Sequence, residues 1–551
     1  MDFVSGKTGI PLYKNDWNNF APFFGIAWQP SFKNGVLRSI FGSPGHTSVR
    51  LGYSLSYLHD GFTTISNALG TGTTNPGLIQ TRANTTPTGL LDNSGVTLPN
   101  VTFQIPITDR ANNLANSGNG VWAVDPNLRI PYVQQWNIGI EREIFPKTAL
   151  EFRYVGNHAV KVWRANDFNE VNIFENGFLN EFLAAQNNLA IFRQNNPNCD
   201  QPSQPVCSFA NTGLPGQVAL PIMSAYFGSP SSSFFRNSTF KGNLDANNVG
   251  TMASTLAFSN TFRGTREAVG FPYAQNFFVA NPNAAFARLL TNDSMSNYNA
   301  LEVELRRQFS QGLQFQADYT WSKAMTDAPA ALGNNQSDLT SFRTLRDKRL
   351  DYTRSSQDQT HRFVANALYE LPFGKGRYWF SDANGFVNQV IGGWNVGTIV
   401  TWATRPPWYI VSNRTTFNSF NAGAAPAQLS GISFDEFKKH IGLFKTPNGI
   451  FIFDPNFDAQ QFLSAPEPGQ FGNFPINSIN GPSYFNIDMS VTKRWSITER
   501  VRLELKTTFI NILNHPNFAF GTVSFDSATF GKVTGTSGSA RVIHFTGSLR
   551  F

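Results

Sequence analysis

Residues Asn297–Ser322 read NYNALEVELRRQFSQGLQFQADYTWS, and the fold class follows from how they alternate. Leu313, Phe315, Ala317, Tyr319 and Trp321 are interleaved with Gln314, Gln316, Asp318, Thr320 and Ser322. In a strand successive side chains point to opposite faces, so a period of two gives one apolar and one polar face. The first half of the stretch behaves alike, with Glu302, Glu304 and Arg306 on one polar face. Between the halves, Ser310–Gln311–Gly312 allows only a tight joint.

The same alternation recurs along the chain. Val49, Leu51, Tyr53, Leu55 and Tyr57 alternate with small or polar neighbours, as do Val501, Leu503, Leu505 and Phe509. Similar segments lie near 20–29, 132–144, 149–158, 361–371, 393–402, 484–494 and 541–551. Together these predict about eleven strands of roughly ten residues, the length that crosses a bilayer when tilted. Alternate joints are tight, at Phe145–Thr148, at Ser310–Gly312 and at Ser496–Arg500. The others, leaving residues near 59, 159, 324 and 403, are long. Structureless loops beyond about 15 residues are uncommon in compact soluble domains. Transmembrane barrels, by contrast, join strands by short turns on one side and long loops on the other. The predicted fold is therefore all-β, a partial antiparallel transmembrane β-barrel whose long extracellular loops carry short helices.

Composition narrows the classes. Charged residues make up 14% of the 551, against roughly 25% in a typical soluble protein. Phenylalanine occurs 52 times and hydrophobic residues reach 41%, so disorder is excluded by the apolar surface available for burial. No run approaches the roughly 18 apolar residues of a spanning helix. Low charge and abundant Phe fit strands bathed in lipid, while polar loops hold the mean hydropathy at -0.25. Net charge is +7, but the densest basic stretch, Arg343–Arg354, interleaves Arg346, Lys348 and Arg349 with Asp347 and Asp351. A nucleic-acid partner would need a basic stripe, and none is present. The start, Met1–Lys7, has neither the basic nor the apolar part of a signal peptide, which taken alone would suggest the cytoplasm.

Aromatics at strand ends (Tyr132, Trp136, Tyr319, Trp321, Trp394, Trp402 and Trp495) sit where membrane interfaces favour them. Two loop segments predict helices. Glu170–Arg193 carries Phe178, Phe182, Ala185 and Leu189 at helical spacing. Ser433 and Glu436 form a capping-box pattern ahead of Phe437 and Ile441.

The chain ends Ile543, Phe545, Gly547, Leu549, Phe551, alternating and finishing on Phe. This resembles the last strand of bacterial outer-membrane proteins, which the barrel-assembly machinery reads. Six further stretches are NNFAPFFGIAWQP (18–30), SVRLGYSLSY (48–57), PYVQQWNIGIERE (131–143), NGFLNEFLAAQNNLAIF (176–192), DQTHRFVANALYELPFG (358–374) and FINILNHPNF (509–518). In that order they resemble the barrel of Oar-like TonB-dependent transporters, from about Asn19 to Phe551. The resemblance implies the bacterial outer membrane, an outer-membrane lipid environment and binding of an unidentified solute by extracellular loops. It also implies a signal peptide, often a regulatory-like β domain, a plug and a barrel of about 22 strands. None of the signal peptide, TonB-box region or plug is recognisable in residues 1–551. The strand parity agrees, because eleven antiparallel strands ending in the periplasm must start outside, and an odd count does not close an ordinary bacterial barrel. The expectation is a C-terminal barrel portion over 1–551, able to engage the TonB complex only through a plug in a longer protein. A non-transporting surface anchor with adhesive loops, or a soluble secreted carbohydrate-binding β-protein, would be the alternatives.

No catalytic, cofactor or metal constellation stands out. H-E-x-x-H, G-x-S-x-G, Walker and EF-hand patterns are absent from the sequence. Glu302 and Glu304 could pair for acid–base work but fit a lumen-facing charge ladder better. Phe373–Arg377, with Gly374, Lys375 and Gly376, reads as a turn. Asp358, His361 and Arg362 read as a hydrogen-bonded loop-to-strand junction, with a ligand contact as the other possibility. His158 and His515 lack companions at ligand spacing. Cys199 and Cys207 enclose a short loop in the longest external segment, where a disulfide would persist; two free thiols are the other reading.

Overall fold

The computed structural model describes residues 11, 13–58, 118–201, 206–328, 341–418, 425–498 and 500–551. Eleven strands form one antiparallel meander in chain order. They are β1 (Phe23–Trp28), β2 (Thr47–Tyr57), β3 (Tyr132–Phe145), β4 (Thr148–Asp167), β5 (Ala287–Ser310) and β6 (Leu313–Thr326). The rest are β7 (His361–Glu370), β8 (Trp394–Trp408), β9 (Ile479–Ser496), β10 (Arg502–Ile510) and β11 (Val542–Arg550). Two short strands join at the margin, Val121–Val124 beside β5 and Thr353–Arg354 beside β6. Among the described residues β1 and β11 each pair on one side only, so the barrel is not closed.

Register keeps the two faces apart across the sheet. One outward row runs Ile26, Leu51, Ile138, Tyr154, Leu301, Trp321, each opposite the next. Because a one-residue slip would send each of these to the other face, the alternating pattern fixes the register. Gly156 belongs to this row system: a Cβ there would collide with the Trp136 indole lying across it.

Joints alternate as expected. Pro146–Lys147 and Gln311–Gly312 are two-residue turns; Lys147 has φ 63, and Gln311 and Gly312 have φ 53 and 80. The last two values suit the turns that match strand twist. At the same end, two joints are longer than the sequence reading allowed. The β1–β2 connection holds a helix, Val36–Phe41, and the β7–β8 connection holds another, Gly385–Ile391. The start Met1–Lys7 and most of the long connection beginning at 59 lie outside the described residues.

At the opposite end the loops fold into two modules with their own cores. The β4–β5 connection forms α1 (Phe178–Asn195), α2 (Pro221–Phe227), α3 (Ser238–Asp245), α4 (Val249–Phe258) and α5 (Asn260–Arg266). The periodicity over 170–193 therefore marks a real helix whose start is Phe178, not Glu170. Gly177 in the left-handed region ends the preceding turn, and Asn176 Oδ1 accepts from the Phe178 N–H. Asn237 and Ser259 cap α3 and α5 by accepting from Thr239 and Thr261 N–H groups. Phe178 meets Phe278 edge-on at 4.8 Å, and Phe227 contacts Phe235, Phe240 and Phe262.

The second module combines the β8–β9 and β10–β11 connections around Ile410, Phe437, Ile452, Phe453, Phe474 and Val533. Ser433 caps the helix Phe434–Lys439 by accepting from the Glu436 N–H at 3.2 Å. The reciprocal half of the box is missing, since Glu436 binds Lys439, and Ile441 begins a strand rather than extending the helix. Every buried phenylalanine among the described residues lies outside the eleven strands. The Phe surplus is thus only partly a matter of lipid contact, and largely one of loop cores. No described helix is long and apolar enough to cross a membrane.

Candidate functional site

The polar face of the meander carries charge in register. Arg50, Gly139, Arg153, Glu302, Thr320 and Arg362 form one row across β2 to β7. The next row holds Glu141, Glu151, Glu304 and Asp318 on four successive strands. Arg153 Nε donates to Glu302 Oε2 at 2.8 Å, and Arg50 reaches Glu141 at 3.0 Å. Arg306 bridges Glu141 and Glu304. Facing carboxylates on neighbouring strands repel, so the interleaved guanidiniums stabilise the pattern. A concavity of about 280 Å³ opens here, lined by Glu151, Arg153, Glu302, Glu304, Asp318 and Arg362. Glu302 and Glu304 are members of this ladder, paired with Arg153 and Arg306. Such a wall can offer both signs of charge to a polar solute.

Above the wall the loops converge on a buried ion cluster. Asp351 takes Arg164 at 2.7 Å and Arg343 at 2.5 Å, with all three side chains largely buried. The Arg164 guanidinium lies 3.8 Å from the Phe342 ring centroid. The basic stretch seen in the sequence is neutralised throughout: Arg346 pairs with Glu175, Lys348 with Asp293, Arg349 with Asp347 and Arg354 with Asp358. The Arg346–Glu175 pair is bidentate and ties the β6–β7 connection to the helical module. Hydrogen bonding to Arg346 lowers the Glu175 carboxyl to about 2. Within that module Glu181 accepts from the Ile222 and Met223 N–H groups at the start of α2, while burial raises its pKa. Burial likewise pushes the Tyr226 phenol up to about 12.

Several residues of the stretches that carry the resemblance are hydrogen-bonded within the fold. Asp358 is buried, accepting from the Ala324 N–H at 2.7 Å and from Arg354 Nε at 2.6 Å. His361 donates its N–H to Thr404 Oγ1, and its Nδ1 faces Tyr319 Oη at 2.8 Å. These bonds form the loop-to-strand junction that the sequence predicts there. In 509–518, Asn511 and Asn514 take positive φ, and Asn511 receives the His515 N–H. Asn517 bonds both backbone groups of Phe485. His158 faces Asn297. Cys199 and Cys207 are joined as a disulfide inside the helical module, so they offer no thiolate to a metal beside Asp200. On β11, Ile543, Phe545 and Leu549 share the outward face, followed by Phe551.

The sequence matches the outer membrane beta barrel domain over residues 3–544. The chain belongs to this outer-membrane β-barrel family. No curated protein matches the barrel chain. Among solved structures it is similar to the outer membrane transporter YddB from Escherichia coli, at 8% identity and a TM-score of 0.36. That alignment covers 97% of this chain and 40% of the other. The pyoverdine receptor FpvA from Pseudomonas aeruginosa PAO1 aligns at 9% identity over 96% of this chain and 36% of its own, TM-score 0.34. The siderophore receptor PiuA from Acinetobacter baumannii aligns at 8% over 96% and 35%, TM-score 0.32. The chain therefore spans well under half the length of these transporters and receptors. The barrel domain places the protein in the bacterial outer membrane, with the outward face of its sheet in lipid.

Proposed function

We propose that this chain is the barrel portion of a TonB-dependent transporter that takes up or translocates a solute captured by its extracellular loops. The observation that carries the reading is the pairing of two ordered extracellular modules with a charge-lined inner wall directly beneath them. A plug domain elsewhere in the full-length protein would couple the barrel to the TonB complex. The barrel-assembly machinery would read Ile543, Phe545, Leu549 and Phe551. No step in this reading is catalytic and none calls for a cofactor or metal.

The test compares intact host cells with and without the gene, following depletion of solutes from the medium by mass spectrometry. The transporter reading expects at least one solute to be depleted more slowly by the deletion strain. It also expects that difference to vanish when the proton-motive force is dissipated. Unchanged uptake together with lost surface adhesion would replace it with the anchor reading, in which the same modules act as an adhesive head.

A further inference from the structure

The β7–β8 connection, residues 371–393, is compact and turns an apolar surface outward. Trp379 donates its N–H to Pro372 O at 2.8 Å, and Gly374 donates to Trp379 O at 3.0 Å. Gly374 has φ 110, and a Cβ there would lie 2.9 Å from Gly392 Cα, so glycine lets the turn close onto the end of the helix Gly385–Ile391. Asn384 caps that helix by accepting from the Val387 N–H.

Its other end is pinned to the strands. The indole of Trp394 donates to Val390 O at 3.0 Å, and that of Trp495 donates to Gln389 O at 2.9 Å. Lys493 Nζ reaches Val390 O and Gly392 O while lying 5.3 Å from the centroids of both indoles. A cation and two N–H donors thus satisfy carbonyls that a helix C-terminus leaves open, where the dipole favours positive charge. Trp394 and Lys493 are cross-strand partners, and Lys493 is opposite Leu505. All belong to the outward face, so the helix is held on the lipid side of the sheet, at its short-turn end. There Tyr378, Trp379, Phe380, Phe386 and Val390 are exposed, Phe386 at 81%. On the strands beside it, Leu505 and Leu549 are exposed on the same outward face.

The geometry points to an interfacial membrane anchor: the helix Gly385–Ile391 and the turn before it lie in the phospholipid of the periplasmic leaflet. A helix of this kind sinks its apolar side about 5–10 Å into the boundary between headgroups and acyl chains. Lys375, exposed in the same connection, supplies a cation to lipid phosphates. The assignment rests on the outer-membrane barrel and is independent of what the barrel transports.

The full chain carrying Phe386→Cys, Val390→Cys or Asp382→Cys tests it, since the native cysteines are disulfide-bonded and leave the new thiol alone. Each is labelled with an environment-sensitive fluorophore in vesicles of phosphatidylethanolamine and phosphatidylglycerol, after heat-modifiable gel mobility confirms folding. At 386 and 390, shallow doxyl-labelled lipid should quench severalfold more than aqueous iodide, with the order reversed at 382. Iodide quenching at 386 and 390 equal to that at 382 would overturn the anchor. So would quenching by neither agent, which would mean that protein covers the helix.

Discussion

Phe152 and Phe178 belong to the same chain and meet opposite surroundings. Phe152, on the outward face of β4, is 48% exposed, whereas Phe178, opening α1, is fully buried against Phe278. The sheet leaves its apolar side chains open because lipid is their solvent, and its stability comes from backbone pairing between successive strands. The extracellular modules stand in water and must bury their aromatics, as any soluble domain does. Two kinds of hydrophobic residue are therefore mixed in one composition, and only position tells them apart.

The difference makes unequal demands on substitution. Phe178→Ala should cost the helical module about 3–5 kcal/mol, by lost transfer energy and the cavity left behind. Protease added to intact cells should then cut within 168–286 while the sheet keeps its heat-modifiable mobility. Phe152→Ala should leave both unchanged; equal damage from the two would break the comparison. Placing a charge in lipid is the complementary test. Phe152→Arg should destabilise the sheet by about 2–4 kcal/mol in urea titrations of the reconstituted protein, as expected near the middle of a span. The module's resistance to protease should be unaffected.

Polar burial separates the regions more finely. Glu181→Ala strips two buried N–H groups at the start of α2 of their acceptor and should cost the module about 1–3 kcal/mol. Glu181→Gln keeps an acceptor without a buried charge and should cost less. Because burial raises the Glu181 pKa, the neutral form suits the fold, and its contribution weakens as pH rises above the ordinary carboxylate value.

The smallest effect should come from Glu175, whose pair with Arg346 is exposed. Its carboxyl is lowered to about 2, so its contribution is present above the ordinary carboxylate pKa and is lost as pH falls through about 2. Surface pairs are weak and screened by salt. Protease access to 341–358 should rise slightly in acid for the native chain, and Arg346→Gln should make that rise smaller, the other carboxylates of the segment keeping their share.

Strands were legible because a period of two is written directly in the residues, and all eleven positions appear as paired strands. The hairpin turns were legible too, through Pro146 and Gly312. The modules were not. Their helices α2 to α5 are short, and their stability comes from contacts such as Phe227 with Phe262 that no local period encodes. The helix Gly385–Ile391 was hidden for the same reason, since its clamps Lys493 and Trp495 lie about a hundred residues away. The ladder could be read on β5 from Glu302, Glu304 and Arg306. Its partners Glu141 and Arg153 needed the register.

The central claim is that one face of this sheet meets lipid and the other meets water. Scanning β6 by single cysteines in outer-membrane fractions, at 316 to 321, tests it directly. A water-soluble maleimide should modify Gln316→Cys, Asp318→Cys and Thr320→Cys, and should spare Ala317→Cys, Tyr319→Cys and Trp321→Cys. Equal reactivity on both sets would contradict the account.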